Sequence, residues 1–353
     1  MTVRRRVLLL ALAALVALGG WRPAAADQHI RIKVVGGLAD VSQYVRFEEP
    51  FWQRRVTGLT GGRLSAEIVP FDRSGIRAGE MLRLLRLGVV PFGTAILAVV
   101  AAEEPEFNAV DLPALSPDIA TLRRTVDAFR PRLQALLRER YGVELLGVYT
   151  YPAQVMFCNR AFAGLGDLAG RRIRTSSVGQ SELMEALGAV PVLTPFAELT
   201  TAFRTGQVEC AITGTTSAQA IGLPQFATHV HAMAISWGIS VFGANLGAWS
   251  ALPEEVRGAV RAGVRELEAE IWQAAGQETR EGLACNAGLP ECLPATRRGM
   301  MTLVPVSAAD EASRTRLLAA TVLPRWIGRC GQDCVAAWNT HLAPLVGVPA
   351  RPD

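Results

Sequence analysis

Residues 116–150 read SPDIATLRRTVDAFRPRLQALLRERYGVELLGVYT, and this stretch sets the fold class. Ile119, Leu122, Val126, Phe129, Leu133 and Leu136 recur at steps of three and four, as in a helix laid on a sheet. Ser116 and Pro117 supply an N-cap and a first helical residue. Val143–Tyr149 then reads as a strand. Upstream, Ile30–Val35 and Leu64–Val69 read as strands, while Val41–Thr57 and Gly79–Leu87 read as helices, the second closed by Gly88. Such alternation predicts an α/β fold with largely parallel sheets.

The second half repeats the pattern. Val155–Asn159, Ile173–Thr175, Val208–Thr213 and Ser240–Ala244 are strand-like, and Thr194 and Pro195 open a helix through Phe203 that Gly206 closes. A long helix starts at Pro253, with Val256, Val260, Val264, Leu267 and Ile271 on one face and Arg257, Arg261 and Arg265 off it.

At the N-terminus Arg4, Arg5 and Arg6 precede an apolar run from Val7 to Leu18 and the small residues Ala24, Ala25 and Ala26. A bilayer span needs about 20 apolar residues, so residues 1–26 read as a cleaved signal peptide with the cut before Asp27. That segment carries Arg4, Arg5, Arg6 and Arg22 and no acid, so the net charge of +4 falls to 4 − 4 = 0 in the remainder. The basic balance that hints at nucleic acid or an anionic membrane thus disappears. A chain of 353 residues exceeds one ordinary core, which predicts two domains.

Six cysteines suit an oxidising compartment. The spacings of Cys285 with Cys292 and of Cys330 with Cys334 suit local disulfides, and neither has the two-residue spacer of a zinc knuckle. Cys158 and Cys210 either pair or stay buried thiols. As free thiols beside His229 or His231 they would permit a hydrolase, although nothing around them suggests a lowered pKa. His229 and His231 fall on one side of a strand, half of a metal site without a third ligand nearby. No Gly-x-Ser-x-Gly elbow or glycine-rich phosphate loop occurs. Gly36-Gly37 marks a turn that permits close approach of ligand or backbone.

Four segments occur in order: LGDLAGRRIRT (165–175), ALGAVPV (186–192), PFAELTTAFRTGQVE (195–209), and Asn245 followed by Leu252-Pro253-Glu254-Glu255. This succession resembles the solute-binding proteins of tripartite ATP-independent periplasmic (TRAP) transporters, of the dicarboxylate- and sialic-acid-binding type. The resemblance implies a type II-like two-lobed periplasmic binding protein fold with mostly parallel sheets in each lobe, hinge strands and a long late helix. On that pattern residues 27–152 plus about 246–290 form one lobe, and 153–245 plus about 291–353 the other. The hinge falls near Tyr149–Phe157 and Ser240–Asn245.

The resemblance also assigns a site. The arginine of the LGDLAGRRIRT motif, Arg174 in the strand-like Ile173–Thr175, clamps the substrate carboxylate, whose planar shape a guanidinium matches with two parallel hydrogen bonds. Asn245 stands where the family places an asparagine before the long helix, and Trp237 where it often has an aromatic wall. Thr213 ends the strand where relatives carry asparagine, with Thr215 just beyond. Gln154 stands where some relatives have a second arginine, so one arginine rather than two favours a monocarboxylate or polar acid over a dianion. The implied partners are a small organic acid and the small and large membrane subunits of a TRAP transporter, with no cofactor, no metal, no catalysis and no nucleic acid. The rival within binding proteins is a ligand-sensing module for a receptor.

Overall fold

The computed structural model describes residues 29–293 and 298–351; the signal-peptide reading, on residues 1–26, lies outside them. Two sheets organise the chain. The first contains β1 (Ile30–Gly36), β2 (Leu64–Pro70), β3 (Phe92–Ile96) and β4 (Val143–Thr150). The second contains β5 (Gln154–Cys158), β6 (Arg172–Thr175), β7 (Val190–Leu193), β8 (Cys210–Gly214) and β9 (His229–His231). The chain returns to the first sheet with β10 (Ile239–Asn245) and to the second with β11 (Thr302–Val304). The strand orders are β2-β1-β3-β10-β4 and β11-β9-β5-β8-β6-β7.

The helix of the decisive stretch spans Ile119–Tyr141 and buries Leu122, Val126, Phe129, Leu133 and Leu136. Its N-cap is Asp118 rather than Ser116: the Asp118 carboxylate accepts from the Thr121 N–H at 2.8 Å. Ser116 is instead drawn into the interior, where its carbonyl accepts from the Trp237 indole. Gly142 ends the helix at φ 58° and β4 follows directly, buried along almost its whole length.

The sheets are mixed rather than mostly parallel. β1 runs parallel to β2 and β3, and β6 to β7 and β8. β10 is antiparallel to β3 and β4, and β5 to β8 and β9. The reason is topological, since the strands adjoining a crossing enter each sheet against the direction of its parallel set.

The first crossing, between Thr150 and Gln154, falls inside the predicted hinge. The second lies upstream of the predicted Ser240–Asn245. Residues 239–245 are β10, whose first six residues are buried between β3 and β4, so the boundary at 245 moves back to about 232–238. The two crossings run side by side: Gln154 N–H donates to Ser236 O (2.8 Å), Ile235 N–H to Gln154 O (2.9 Å) and Tyr151 N–H to Gly238 O (3.1 Å).

The helix Glu254–Asn286 packs Val260, Val264 and Leu267 in the core of the first lobe. Its final turns reach the second lobe, where Asn286 donates to Thr215 O and Thr215 Oγ1 to Glu278 O. The last helices do not belong to the second lobe alone. Trp326 donates to Pro105 O and His341 packs on Phe129 in the first lobe, while Arg329 and Arg325 pair with Glu182 and Glu185 in the second.

Three disulfides join Cys158 to Cys210, Cys285 to Cys292 and Cys330 to Cys334. The first links β5 to β8 at directly opposed positions, buried in the core. With both sulfurs committed, the thiol-hydrolase alternative loses its nucleophile.

Candidate functional site

In open α/β sheets, ligands sit beyond the carboxyl ends of parallel strands where the chain switches direction. Here β1 ends at Gly36, β2 at Pro70 and β3 at Ile96; β6 ends at Thr175 and β8 at Gly214. Ile96 pairs with Ser240 and Gly214 with Gln154, both residues adjoining the crossings. The carboxyl edges of both sheets therefore meet at the hinge.

Arg174 lies on the second lobe's edge and is 2% exposed. It follows Ile173, which pairs with β8, so the guanidinium grows out of the sheet interior. Two backbone carbonyls fix its plane: Nε donates to Thr194 O at 2.9 Å and Nη1 to Ile212 O at 2.7 Å. Among the described residues no carboxylate pairs with it. Of an arginine's five N–H donors, these bonds use two. Burial lowers its pKa to about 10, because a low-dielectric setting disfavours the cation, yet it remains charged at neutral pH. It is the sole fully buried arginine or lysine among the described residues. A buried cation without a counter-ion is costly, and an anionic ligand removes that cost.

Beside it lies a polar network. Gln154 Oε1 accepts from Gln180 Nε2 (3.1 Å) and from Ser176 Oγ (3.4 Å), and Gln154 Nε2 donates to Trp237 O (3.4 Å). Gln180 also donates to Ser236 Oγ at 2.9 Å and accepts from Ser176 N–H at 2.8 Å. Gln154 therefore spends its amide on joining the two crossings to the segment after Arg174. Thr213 is buried on β8 next to Ile212, whose carbonyl holds Arg174.

The remaining candidates point elsewhere. Trp237 is buried with its indole donating to Ser116 O at 2.9 Å, and its N–H donates to Asp111 Oδ1 at 2.9 Å. It anchors the crossing to the first lobe. Thr215 is committed to the long helix. Asn245 pairs with Val143, at the end of β10 away from the crossing. Its oxygen caps the next helix by accepting from Ala248 N–H (3.1 Å), and its amide donates to Leu85 O (2.9 Å). The structure does not bring Asn245 to Arg174.

The histidine pair is equally committed. His231 is fully buried, accepts from Met233 N–H on Nδ1 and so carries its proton on Nε2, 3.3 Å from Asp310 Oδ2. His229 Nδ1 bonds the Thr228 hydroxyl. Among the described residues no three His, Cys, Asp or Glu side chains are grouped to hold a metal.

Two acidic residues near the hinge escaped sequence reasoning. Asp111 is buried and accepts from Trp237 N–H and, at 2.6 Å, from Gly238 N–H, clasping the second crossing where Gly238 adopts φ 87°. Burial raises its pKa to about 7 against those hydrogen bonds. In the first lobe Glu48 is fully buried. It accepts from Gly37 N–H (2.6 Å), Gln43 Nε2 (2.9 Å) and Thr94 Oγ1 (3.0 Å). Burial raises its pKa from 4.5 to about 7.

With its folded-state value raised, Glu48 contributes stability that is fully present below pH 4.5 and lost as pH climbs through about 7. Glu48→Gln should flatten the fall in Tm between about pH 5 and 8. A variant whose Tm drops as steeply as the wild type's would refute this assignment.

The family model described as bacterial extracellular solute-binding protein, family 7, matches residues 45–285. A C4-dicarboxylate-binding periplasmic protein of Rhodobacter capsulatus is 28% identical over 153 residues. That alignment covers 42% of this chain and 45% of the relative, so the chain spans less than half of that relative's length. An extracytoplasmic solute receptor of Bordetella pertussis that binds pyroglutamic acid superposes with a TM-score of 0.78 at 23% identity, covering 88% of this chain and 99% of that one. A TRAP periplasmic solute binding protein of Desulfovibrio salexigens with bound orotic acid gives 0.75 at 18% identity, with 90% and 99% covered. One from Shewanella oneidensis with bound succinate gives 0.73 at 18% identity, with 88% and 98% covered. At these identities the structural likeness establishes the two-lobed fold.

Proposed function

The chain belongs to the bacterial extracellular solute-binding proteins of family 7, and we propose that it captures a small organic carboxylate in the periplasm and delivers it to the small and large membrane subunits of a TRAP-type transporter. The reading rests on one observation: a buried guanidinium at the hinge edge, fixed by two carbonyls and paired with no acid among the described residues. Such a group discriminates for carboxylates, because a neutral solute would leave the cation uncompensated. The ligands of the similar structures, pyroglutamate, orotate and succinate, are all small carboxylates. The protein acts by capture and release and carries out no chemistry on its solute. The lobes close on the solute by bending at the two crossings.

The test is a thermal-shift and calorimetric screen of pyroglutamate, orotate and succinate on the purified chain. At least one acid should raise Tm in wild type and not in Arg174→Ala. Equal stabilisation of both proteins would show that Arg174 is not the clamp, and no response to any of the three acids would count against the carboxylate class.

A further inference from the structure

β1 runs past the start of its neighbour. It pairs with β2 along its whole length, from Ile30 to Gly36, but meets β3 only from Val34, opposite Phe92. On that side residues 30–33 border a slot of about 670 Å³, closed at one end by Pro91 and Phe92 and walled opposite by Ala248, Ala251 and Leu252. The slot is remote from the solute. β1 has seven residues at about 3.3 Å each, so Ile30 stands roughly 20 Å from the Gly36 edge that faces the hinge.

Its chemistry is that of a missing strand. Ile30 N–H donates to Arg63 O at 2.8 Å, on the β2 side. Main-chain groups alternate sides along a parallel strand, so Arg31 turns its N–H and C=O, and Lys33 its N–H, toward the slot, where no strand of the described residues lies opposite. Side chains alternate between the two faces of the sheet. Arg31 and Lys33 are exposed on the outer face, and neither has a hydrogen bond or ion pair among the described residues. Arg63, also on the rim, is already paired with Glu255 at 2.6 Å. On the inner face Ile32, Phe92, Leu252 and Val256 belong to the first lobe's apolar core. A phosphate or lipid headgroup would suit the two cations but would set its oxygens against the Arg31 carbonyl. An extended peptide offers N–H and C=O in turn, as in strand addition.

We infer that this slot receives an extended segment of a partner protein, which adds in line with β3 and alternates acidic side chains toward Arg31 and Lys33 with apolar ones toward Phe92 and Leu252. Leu87 and Val89, 62% and 68% exposed on the turn that leads into Pro91, extend the apolar surface beyond the slot. Docking at this pole leaves the cleft between the lobes free, so partner and solute bind together. The site is independent of Arg174.

The experiment uses three probes: the peptide acetyl-Glu-Val-Glu-Thr-Glu-Val-amide, its scrambled form acetyl-Glu-Glu-Glu-Val-Thr-Val-amide, and vesicles containing phosphatidylglycerol. Proteins are wild type, Arg31→Gln combined with Lys33→Gln, and Ala251→Trp, which plugs the slot. All three positions are exposed, so both variants should keep the wild-type Tm. Fluorescence anisotropy of labelled peptide gives Kd, and hydrogen exchange reads the Arg31 and Lys33 amides. Wild type should bind the alternating peptide at least about tenfold more tightly than the scrambled one, and the glutamine variant should lose about tenfold, the scale of two exposed ion pairs. Ala251→Trp should not bind it. The bound peptide should slow exchange at both amides. Equal binding of the two peptides overturns the added strand and leaves only charge attraction. Binding that survives Ala251→Trp, or that leaves both amides exchanging freely, places the peptide elsewhere and also overturns it. Vesicle binding that is lost in the glutamine variant but kept in Ala251→Trp, without slot binding of the peptide, replaces the protein partner with a membrane surface. No binding of the alternating peptide at about 1 mM means that Arg31 and Lys33 only guard an open edge against other chains, which sinks the proposal.

Discussion

Arg174→Ala is expected to weaken binding of the solute carboxylate by roughly 100- to 10,000-fold while leaving the unliganded protein as stable as wild type or nearly so. Two parallel charge-assisted hydrogen bonds at about 1.5–3 kcal/mol each give about 3–6 kcal/mol, which sets that range. The unliganded protein behaves differently because Arg174 is a strain on it. Burial has already lowered the pKa to about 10, and no counter-ion relieves the desolvated charge among the described residues. Removing the charge offsets the loss of the bonds to Thr194 O and Ile212 O. Arg174→Met sharpens the test, since it keeps the stem and discards the cation; its unliganded Tm should match or exceed that of wild type. Arg174→Lys keeps the charge but lacks the fork, and should bind the acid with intermediate affinity. A large drop in Tm for Arg174→Met without ligand would show that the guanidinium serves the fold and not the solute.

The long elements were legible because their information is local. The helix Ile119–Tyr141 announces itself by period, and Gly142 by its place after the last periodic residue. Its cap was misplaced by two residues because Ser116, Pro117 and Asp118 are all competent to start a helix. Burial of Ser116 against Trp237, 121 positions away, settles the choice. Arg174 stood out through the motifs around it, but what fixes its guanidinium comes from partners 20 and 38 residues distant. Glu48 was illegible for the same reason. Beside Glu49 it reads as a solvated helix face, and only Gly37 and Thr94, 11 and 46 positions away, turn it into a buried acid that organises the first lobe's turn. Asn245 shows the converse. The resemblance suggested a ligand donor, yet the short helix it precedes needs an N-cap, and that local demand holds the side chain.

The second large effect concerns stability. Replacing the Cys158–Cys210 pair, as Cys158→Ala with Cys210→Val, should lower unfolding free energy by about 4 kcal/mol, on the chain-entropy relation for the 52-residue separation. Removing Cys285–Cys292, which closes a separation of 7, should cost about 2 kcal/mol on the same relation. The long bridge has a second consequence. It joins β5 to β8 two positions before Ile212, whose carbonyl fixes Nη1 of Arg174, so it tethers the strand that holds the guanidinium in place. Well below its lowered Tm the variant should still bind the solute, because β5 and β8 remain paired through Gln154–Gly214 to Phe157–Ala211. Its Kd should rise with temperature more steeply than that of wild type as the ladder loosens. Denaturant unfolding of the two double variants, read with calorimetric Kd at two temperatures, separates the contributions. A smaller loss from the long bridge than from the short one would mean that the unfolded chain already holds β5 and β8 together, and would remove loop closure as the source of the stabilisation.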